Sequence, residues 1–263
     1  MILYDMSNEE YHLSDAISST AVKTVSQKSL AHWRFSQRKH VHAFDLGTAV
    51  HSLVLEPHLT DAVRCGPETR RGNEWKEMHA SAIADGAVLL TESDYQVAVE
   101  MSQSVRSNAA AAKLLGGELV CEASVFSKDP ATGLDLRCRP DGWRKDIDAL
   151  IDLKTTVDAS PSGFAKQVAN FGYHIQDAFY RHVMAQEGFD IDRFAFIAVE
   201  KEPPYAVGVY ELDWRSLDEG VLAMRDALER IKGAKETGRY GTGYGDLQTI
   251  QIPMWAFRFT ENG

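Results

Sequence analysis

An aspartate and a lysine two residues apart in an apolar run, Ile151-Asp152-Leu153-Lys154-Thr155, set the strongest constraint on this chain. Side chains alternate faces along a β-strand, so Asp152 and Lys154 project from one face while Ile151, Leu153 and Thr155 take the other. Upstream, Arg139-Pro140-Asp141-Gly142-Trp143 places a second carboxylate at the end of another apolar–polar alternation. Two carboxylates converging on one sheet face repel each other unless a cation sits between them. Oxygen ligands favour Mg²⁺, with Mn²⁺ as a substitute, over Zn²⁺. A lysine beside that ion can orient a water, lower its pKa or steady the charge on a phosphate under attack. These residues point to metal-dependent phosphodiester hydrolysis.

Pro140-Asp141, ten intervening residues and then Asp152-Leu153-Lys154 reproduce the spacing of the PD-(D/E)XK nuclease signature. Four segments follow in order: Phe44-Asp45-Leu46-Gly47-Thr48-Ala49-Val50-His51, Arg137-Cys138-Arg139-Pro140-Asp141, Asp152-Leu153-Lys154-Thr155-Thr156 and Tyr173-His174-Ile175-Gln176-Asp177-Ala178-Phe179-Tyr180. With them the chain resembles the nuclease-domain family of exonuclease VIII (RecE) and its phage-borne relatives. The resemblance runs from about Tyr11 to Ile252-Pro253-Met254-Trp255-Ala256. It implies phage or prophage origin, double-stranded DNA ends as substrate, and 5′ to 3′ digestion that leaves 3′ single strands for recombination. It also implies a homo-oligomeric ring, trimer or tetramer, and a single-strand annealing protein as partner.

Length and composition suit one α/β domain over 1–263, with a mainly helical part to about 117 and a catalytic core from about 118. No apolar run approaches the roughly 20 residues of a membrane helix, and Met1-Ile2-Leu3-Tyr4-Asp5-Met6 has no signal-peptide layout. Three scattered cysteines suggest reduced thiols in a cytoplasmic setting and cannot hold a four-cysteine iron–sulfur cluster. Lys plus Arg 28 against Asp plus Glu 38 gives a net charge of −10, where a DNA binder is expected to be basic. The metal-binding carboxylates account for part of the deficit. The rest implies a local basic lining, with Arg70, Arg71, Arg137 and Arg139 facing a closed channel and acidic residues outside.

Ser18-Ser19 predicts a helix start running toward Phe35, and Asp45–Leu55 a second helix. A short helical stretch follows Arg70-Arg71-Gly72-Asn73, and Thr91 caps a helix through Leu115, ended by Gly116-Gly117. Leu119 to Lys128 and Leu134 to Arg144 alternate around a turn at 129–133, which predicts a β-hairpin. Ala149–Thr155 is the next strand, Phe164–Glu187 a long helix, Phe194–Val199 and Ala206–Leu212 two strands, and Ser216–Lys235 a last helix. This order fits a restriction-endonuclease-like α/β core, a mixed sheet between helices with an N-terminal helical elaboration. Pro140 cannot donate to a strand ladder, and a bulge there would re-aim Asp141 toward the metal.

Asp152 lies mid-strand, where an unpaired carboxylate is costly, so a metal or basic partner is the cheaper explanation. Glu122 in Val120-Cys121-Glu122-Ala123-Ser124 reads alone as an exposed strand carboxylate; the resemblance makes it a third acidic ligand with Asp141 and Asp152, and the Leu153 carbonyl a fourth oxygen. The resemblance likewise moves His51 from a core or cap histidine to a metal ligand or close neighbour. It makes Gln176 the glutamine that contacts the active-site lysine or the scissile region. Tyr180, four residues on, shares that helix face and serves equally as a packing residue or a DNA contact. Arg137 and Arg139 share a strand face and either hold phosphate or pair with neighbouring carboxylates. The rival readings are an endonuclease or single-strand nuclease of the same superfamily, a non-catalytic DNA-binding protein with this fold, and a hydrolase of a non-nucleic phosphoester.

Overall fold

Leu150, Ile151 and Leu153 are fully buried on opposite faces of one strand, and the layers on either side exist to cover them. The computed structural model describes residues 1–36, 42–59, 61–245 and 247–257, without the side chains of 42–44 and 255. The side chains of Phe44 and Trp255, which belong to the resembling segments, therefore lie outside the described residues.

The N-terminal part runs β1 (Ile2–Leu3), α1 (Asn8–Leu13), β2 (Ile17–Ser18), α2 (Ser19–Gln27), α3 (Leu30–Phe35) and α4 (His42–Leu55). It continues with β3 (Val63–Cys65), α5 (Asn73–Ala84), β4 (Val88–Leu90), α6 (Glu92–Ser107) and α7 (Ala109–Leu115). Next come β5 (Leu119–Cys121), β6 (Ser124–Lys128), β7 (Asp135–Cys138), β8 (Gly142–Arg144) and β9 (Ala149–Thr156). The chain closes with α8 (Pro161–Phe171), α9 (Tyr173–Gln186), β10 (Arg193–Glu200), β11 (Val207–Tyr210) and α10 (Trp214–Thr237).

Among the described residues three sheets result, ordered β11-β10-β9-β8-β5, β1-β6-β7-β2 and β3-β4. The first is mixed: β9 and β10 are parallel, and the other neighbours antiparallel. The predicted hairpin is present and its register is continuous, with Cys121 opposite Gly142 and Val125 opposite Cys138. It is not one flat ribbon, however. Both strands break at the same level, between β5 and β6 and between β7 and β8, so the hairpin's tip joins one sheet and its base the other. Pro140 supplies one side of the break, because it has no N–H for a ladder. On the other side Glu122 takes a left-handed backbone, φ 53°, a conformation uncommon outside glycine. Glu122 is thus a corner residue, not the strand residue that alternation predicts.

Three predicted long helices are also divided. Ser29 caps α3 through its hydroxyl and separates it from α2. Asn108 ends α6 and caps α7 by accepting from Ala110 N and Ala111 N. Gly172 adopts the left-handed conformation, φ 65°, between α8 and α9. The caps at Ser18 and Thr91 stand where the sequence puts them.

One face of the mixed sheet, with Leu150, Phe194 and Phe196, packs with Val22 and Val25 of α2, Phe179 of α9 and Leu228 and Ile231 of α10. The other, with Ile151, Leu153, Ala195 and Ile197, packs against Val50 of α4 and Met101 and Val105 of α6. Burying each such large aliphatic side chain contributes about 1.5–3 kcal/mol, so the two layers hold β9 from both sides. Among the described residues no helix is long and apolar enough to cross a membrane.

Candidate active site

The site forms where β8 parts from β9. The pairing of β8 with β9 begins only at Gly142 opposite Ile151, so beyond Ile151 the β8-side edge of β9 has no strand partner. Buried backbone donors need acceptors, and Asp141, on the corner just before β8, supplies one: its Oδ2 accepts from Leu153 N at 2.7 Å. The N–H and C=O of one strand residue point to the same edge, so the Leu153 carbonyl faces this notch as well. His51, on α4 from the opposite layer, brings Nδ1 to 3.5 Å from Asp141 Oδ2.

Asp152 stands on the other face of β9 and is 1 % exposed. Its Oδ1 accepts from Gln176 Nε2 at 2.5 Å, and its Oδ2 forms an ion pair with the Lys154 ammonium. The two-residue spacing works as the alternation predicts. Lys154 Nζ also lies 4.9 Å from the centre of the Tyr173 ring, within cation–π range. Glu122 faces Asp141 across the hairpin break, and Arg139 Nε lies 4.0 Å from its Oε2.

Burial pushes the Asp141 carboxyl above its ordinary range, and the Asp152 charge adds to this against the pull of His51 and Lys154. Burial and the Asp141 charge push Glu122 up to about 8; its side chain is 41 % exposed, so solvent tempers the penalty. Burial alone would lower Lys154, but Asp152 and Asp141 outweigh it and hold the ammonium above the usual lysine range. Carboxylates that resist ionisation beside one another form a site short of positive charge. Their oxygens, the Leu153 carbonyl and the His51 imidazole suit a hard divalent cation. The fit is one of donor chemistry and charge: among the described residues no three His, Cys, Asp or Glu side chains close on a common point.

The structure therefore brings together Glu122, Asp141, Asp152, Leu153, Lys154, Gln176 and His51. It does not bring Arg137, Arg139 and Tyr180 to an open surface. Arg137 is buried, donates to the carbonyls of Tyr11 and Ser14, and stacks on the Tyr11 ring. Arg139 donates to Ser124 Oγ and to the carbonyls of Met6 and Ser7. Both guanidiniums fasten the N-terminal segment onto the hairpin, so the expectation that they line a DNA channel is corrected. Tyr180 is a packing residue whose hydroxyl donates to Arg139 O at 3.2 Å. Arg70, expected in the same lining, pairs with Asp94 at 2.7 Å and lies 5.5 Å from the Trp75 ring.

Two residues at the site escaped the sequence reading. Tyr173 is the first residue of α9, and Lys23 on α2 reaches Gln176 Oε1 at 3.2 Å across 153 residues of chain. Nothing local to α2 marks that lysine, since its partner is far away in sequence.

A mixed sheet between helical layers, with Pro-Asp and Asp-X-Lys meeting where two strands part, defines a domain of the PD-(D/E)XK nuclease type. The chain belongs to the family described as a PDDEXK-like domain of unknown function (DUF3799), which it matches over residues 19–251. Its fold is similar to that of a candidate exonuclease from Eubacterium rectale, with 13% identity and a TM-score of 0.66, over 95% of this chain and 96% of that one. A phage-related exonuclease from Haemophilus somnus 129PT is similar over 87% of this chain and 99% of that one, with 11% identity and a TM-score of 0.35, too low to bear on the fold. No curated protein matches the sequence.

Proposed function

We propose that this chain is a Mg²⁺-dependent exodeoxyribonuclease, digesting double-stranded DNA from an end, 5′ to 3′, to leave 3′ single strands for recombination. The observation that carries hydrolysis is the pair of carboxylates, half-buried Asp141 on the Leu153 N–H and buried Asp152, with the Lys154 ammonium on Asp152. The exonuclease mode and polarity are supported by the motif resemblance, which also makes a single-strand annealing protein the expected partner.

Asp141, Asp152, Glu122, the Leu153 carbonyl and His51 would hold the metal; bound there, a divalent cation polarises a phosphoryl oxygen and lowers the pKa of water. Lys154 stands beside that position, on the same face of β9 as Asp152. Paired with Asp152 Oδ2, it is placed to orient the attacking water or to donate to the charge developing on the phosphate. Gln176 holds Asp152 Oδ1, so that carboxylate keeps one orientation. A closed trimer or tetramer reconciles a −10 chain with retention of a polyanion.

End-labelled linear duplex and covalently closed circles, incubated with Mg²⁺ or chelator, test the proposal. Linear DNA should be digested from its 5′ ends only with the metal, and Asp152→Asn should lower the rate at least about a hundredfold with circular dichroism unchanged. Cleavage of circles would make the enzyme an endonuclease. Hydrolysis in excess chelator would remove the metal assignment.

A further inference from the structure

Lys23 projects from α2, an element that carries none of the residues assigned above, and donates to Gln176 Oε1 at 3.2 Å. Gln176 presents its other end to Asp152, Nε2 donating to Oδ1 at 2.5 Å. An ammonium has donors and no acceptor, whereas a primary amide has an acceptor end and a donor end. With Lys23 in place the amide has one satisfied orientation, oxygen to Lys23 and nitrogen to Asp152. Turned over, it would set NH₂ against an ammonium and oxygen against a carboxylate. Oδ1 of Asp152 is thereby taken, while Oδ2 meets Lys154 as an ion pair.

We infer that Lys23 is a positioning residue, which acts through the Gln176 amide to hold Asp152 with Oδ2 turned to the site. The inference rests on the reading of Asp152 as a metal ligand. A second contact supports the placement: Lys23 Nζ lies 5.6 Å from the centre of the Tyr173 ring, the same ring that Lys154 approaches at 4.9 Å. One aromatic side chain thus receives both ammoniums. Burial and the Lys154 charge hold Lys23 down at about 8, against the pull of the Asp152 charge.

Wild type, Lys23→Met, Lys23→Arg, Gln176→Leu and the Lys23→Met/Gln176→Leu double variant are titrated calorimetrically with Mn²⁺ in the absence of DNA, and each is assayed on linear duplex. Lys23→Met is expected to weaken Mn²⁺ about tenfold, as for loss of a partner behind a ligand, and to lower kcat with KM changed less than about twofold. In the Gln176→Leu background the same substitution should change Mn²⁺ affinity less than about twofold, because the connecting amide is gone. Lys23→Arg keeps a donor-only cation and should recover most of the loss. Equal effects in both backgrounds, unchanged Mn²⁺ affinity, no recovery by arginine, or an effect confined to KM would each overturn the inference; the last would make Lys23 a phosphate contact. Wild type failing to bind Mn²⁺ would overturn the metal site and this role together. Intact Mn²⁺ binding without coupling removes only the role of Lys23.

Discussion

Glu122 and Asp141 face each other across the break in the hairpin, joined by a long hydrogen bond from Glu122 N to Asp141 O at 3.4 Å. Each carries an acidic side chain at the point where its strand leaves one sheet for the other. The bend turns two residues of one ladder toward Asp152 on a neighbouring strand, which a flat hairpin would not do. Bulges and breaks at sheet edges commonly re-aim side chains in this way.

Lys154 separates chemistry from binding. If its ammonium meets the developing phosphate charge, Lys154→Ala should lower kcat by about a hundredfold while DNA affinity and Mn²⁺ affinity change little. Single-turnover rates beside equilibrium DNA binding decide this. A loss confined to DNA affinity would make Lys154 a phosphate-positioning residue.

Acid stability should depend on Asp129, at the hairpin's turn. Its carboxylate is fully buried and accepts from Thr132 N and Oγ1, Arg225 Nη1 and His182 Nε2 at 2.6–2.9 Å. Burial would raise this group, but the four donors outweigh it and hold it down at about 2, against an ordinary 3.8. A depressed acid contributes stability that is complete above its unfolded pKa and is lost as pH falls through its folded one. Asp129→Ala should cost about 2–4 kcal/mol at pH 7, since it leaves Arg225 and His182 facing each other. It should also flatten the decline in stability between pH 3.8 and about 2. Urea unfolding across that range measures both effects.

Two glycines of α10 should respond oppositely to alanine. A Cβ at Gly220 would lie 2.3 Å from the His174 carbonyl oxygen at the start of α9. Gly220→Ala must push the helices apart and should cost about 1–3 kcal/mol. A Cβ at Gly233 meets nothing within 4 Å, so Gly233→Ala should stabilise by about 0.5–1 kcal/mol through helix propensity. Thermal unfolding of the two variants side by side is the check, and a stabilised Gly220→Ala would contradict the close approach of α9 and α10.

Assembly is testable by light scattering at micromolar concentration, which should give a trimer or tetramer, together with long runs of digestion before release. A monomer that still degrades long duplexes without dissociating would refute the ring. Arg71 is the exposed member of the four arginines first expected in a channel, so the lining must come chiefly from other cations.

Much of this was legible from local rules. Alternation alone placed Asp152 and Lys154 together, and the turn at 129–133 fixed the hairpin register because strand pairing follows from the turn. The helix breaks were not legible, since Asn108 and Ser29 sit within helical patterns and become caps only when the chain bends there. Glu122 was misplaced for a related reason: alternation continues through a corner without marking it. Arg137 and Arg139 share a strand face in the sequence and read there as phosphate contacts or as partners of neighbouring carboxylates. The segment that covers them, β1 to β2, comes from more than a hundred residues upstream, and no local pattern reveals it.

The hairpin's outer sheet is completed by β1 and β2, one on each flank. A fragment cut before β5 would therefore expose two raw strand edges of that sheet at once, an invitation to intermolecular pairing. It would also lose His51 and Lys23 from beside the carboxylates. Any attempt to graft this catalytic corner into another scaffold must carry the opening stretch of the chain with it, or supply substitutes for both flanking strands.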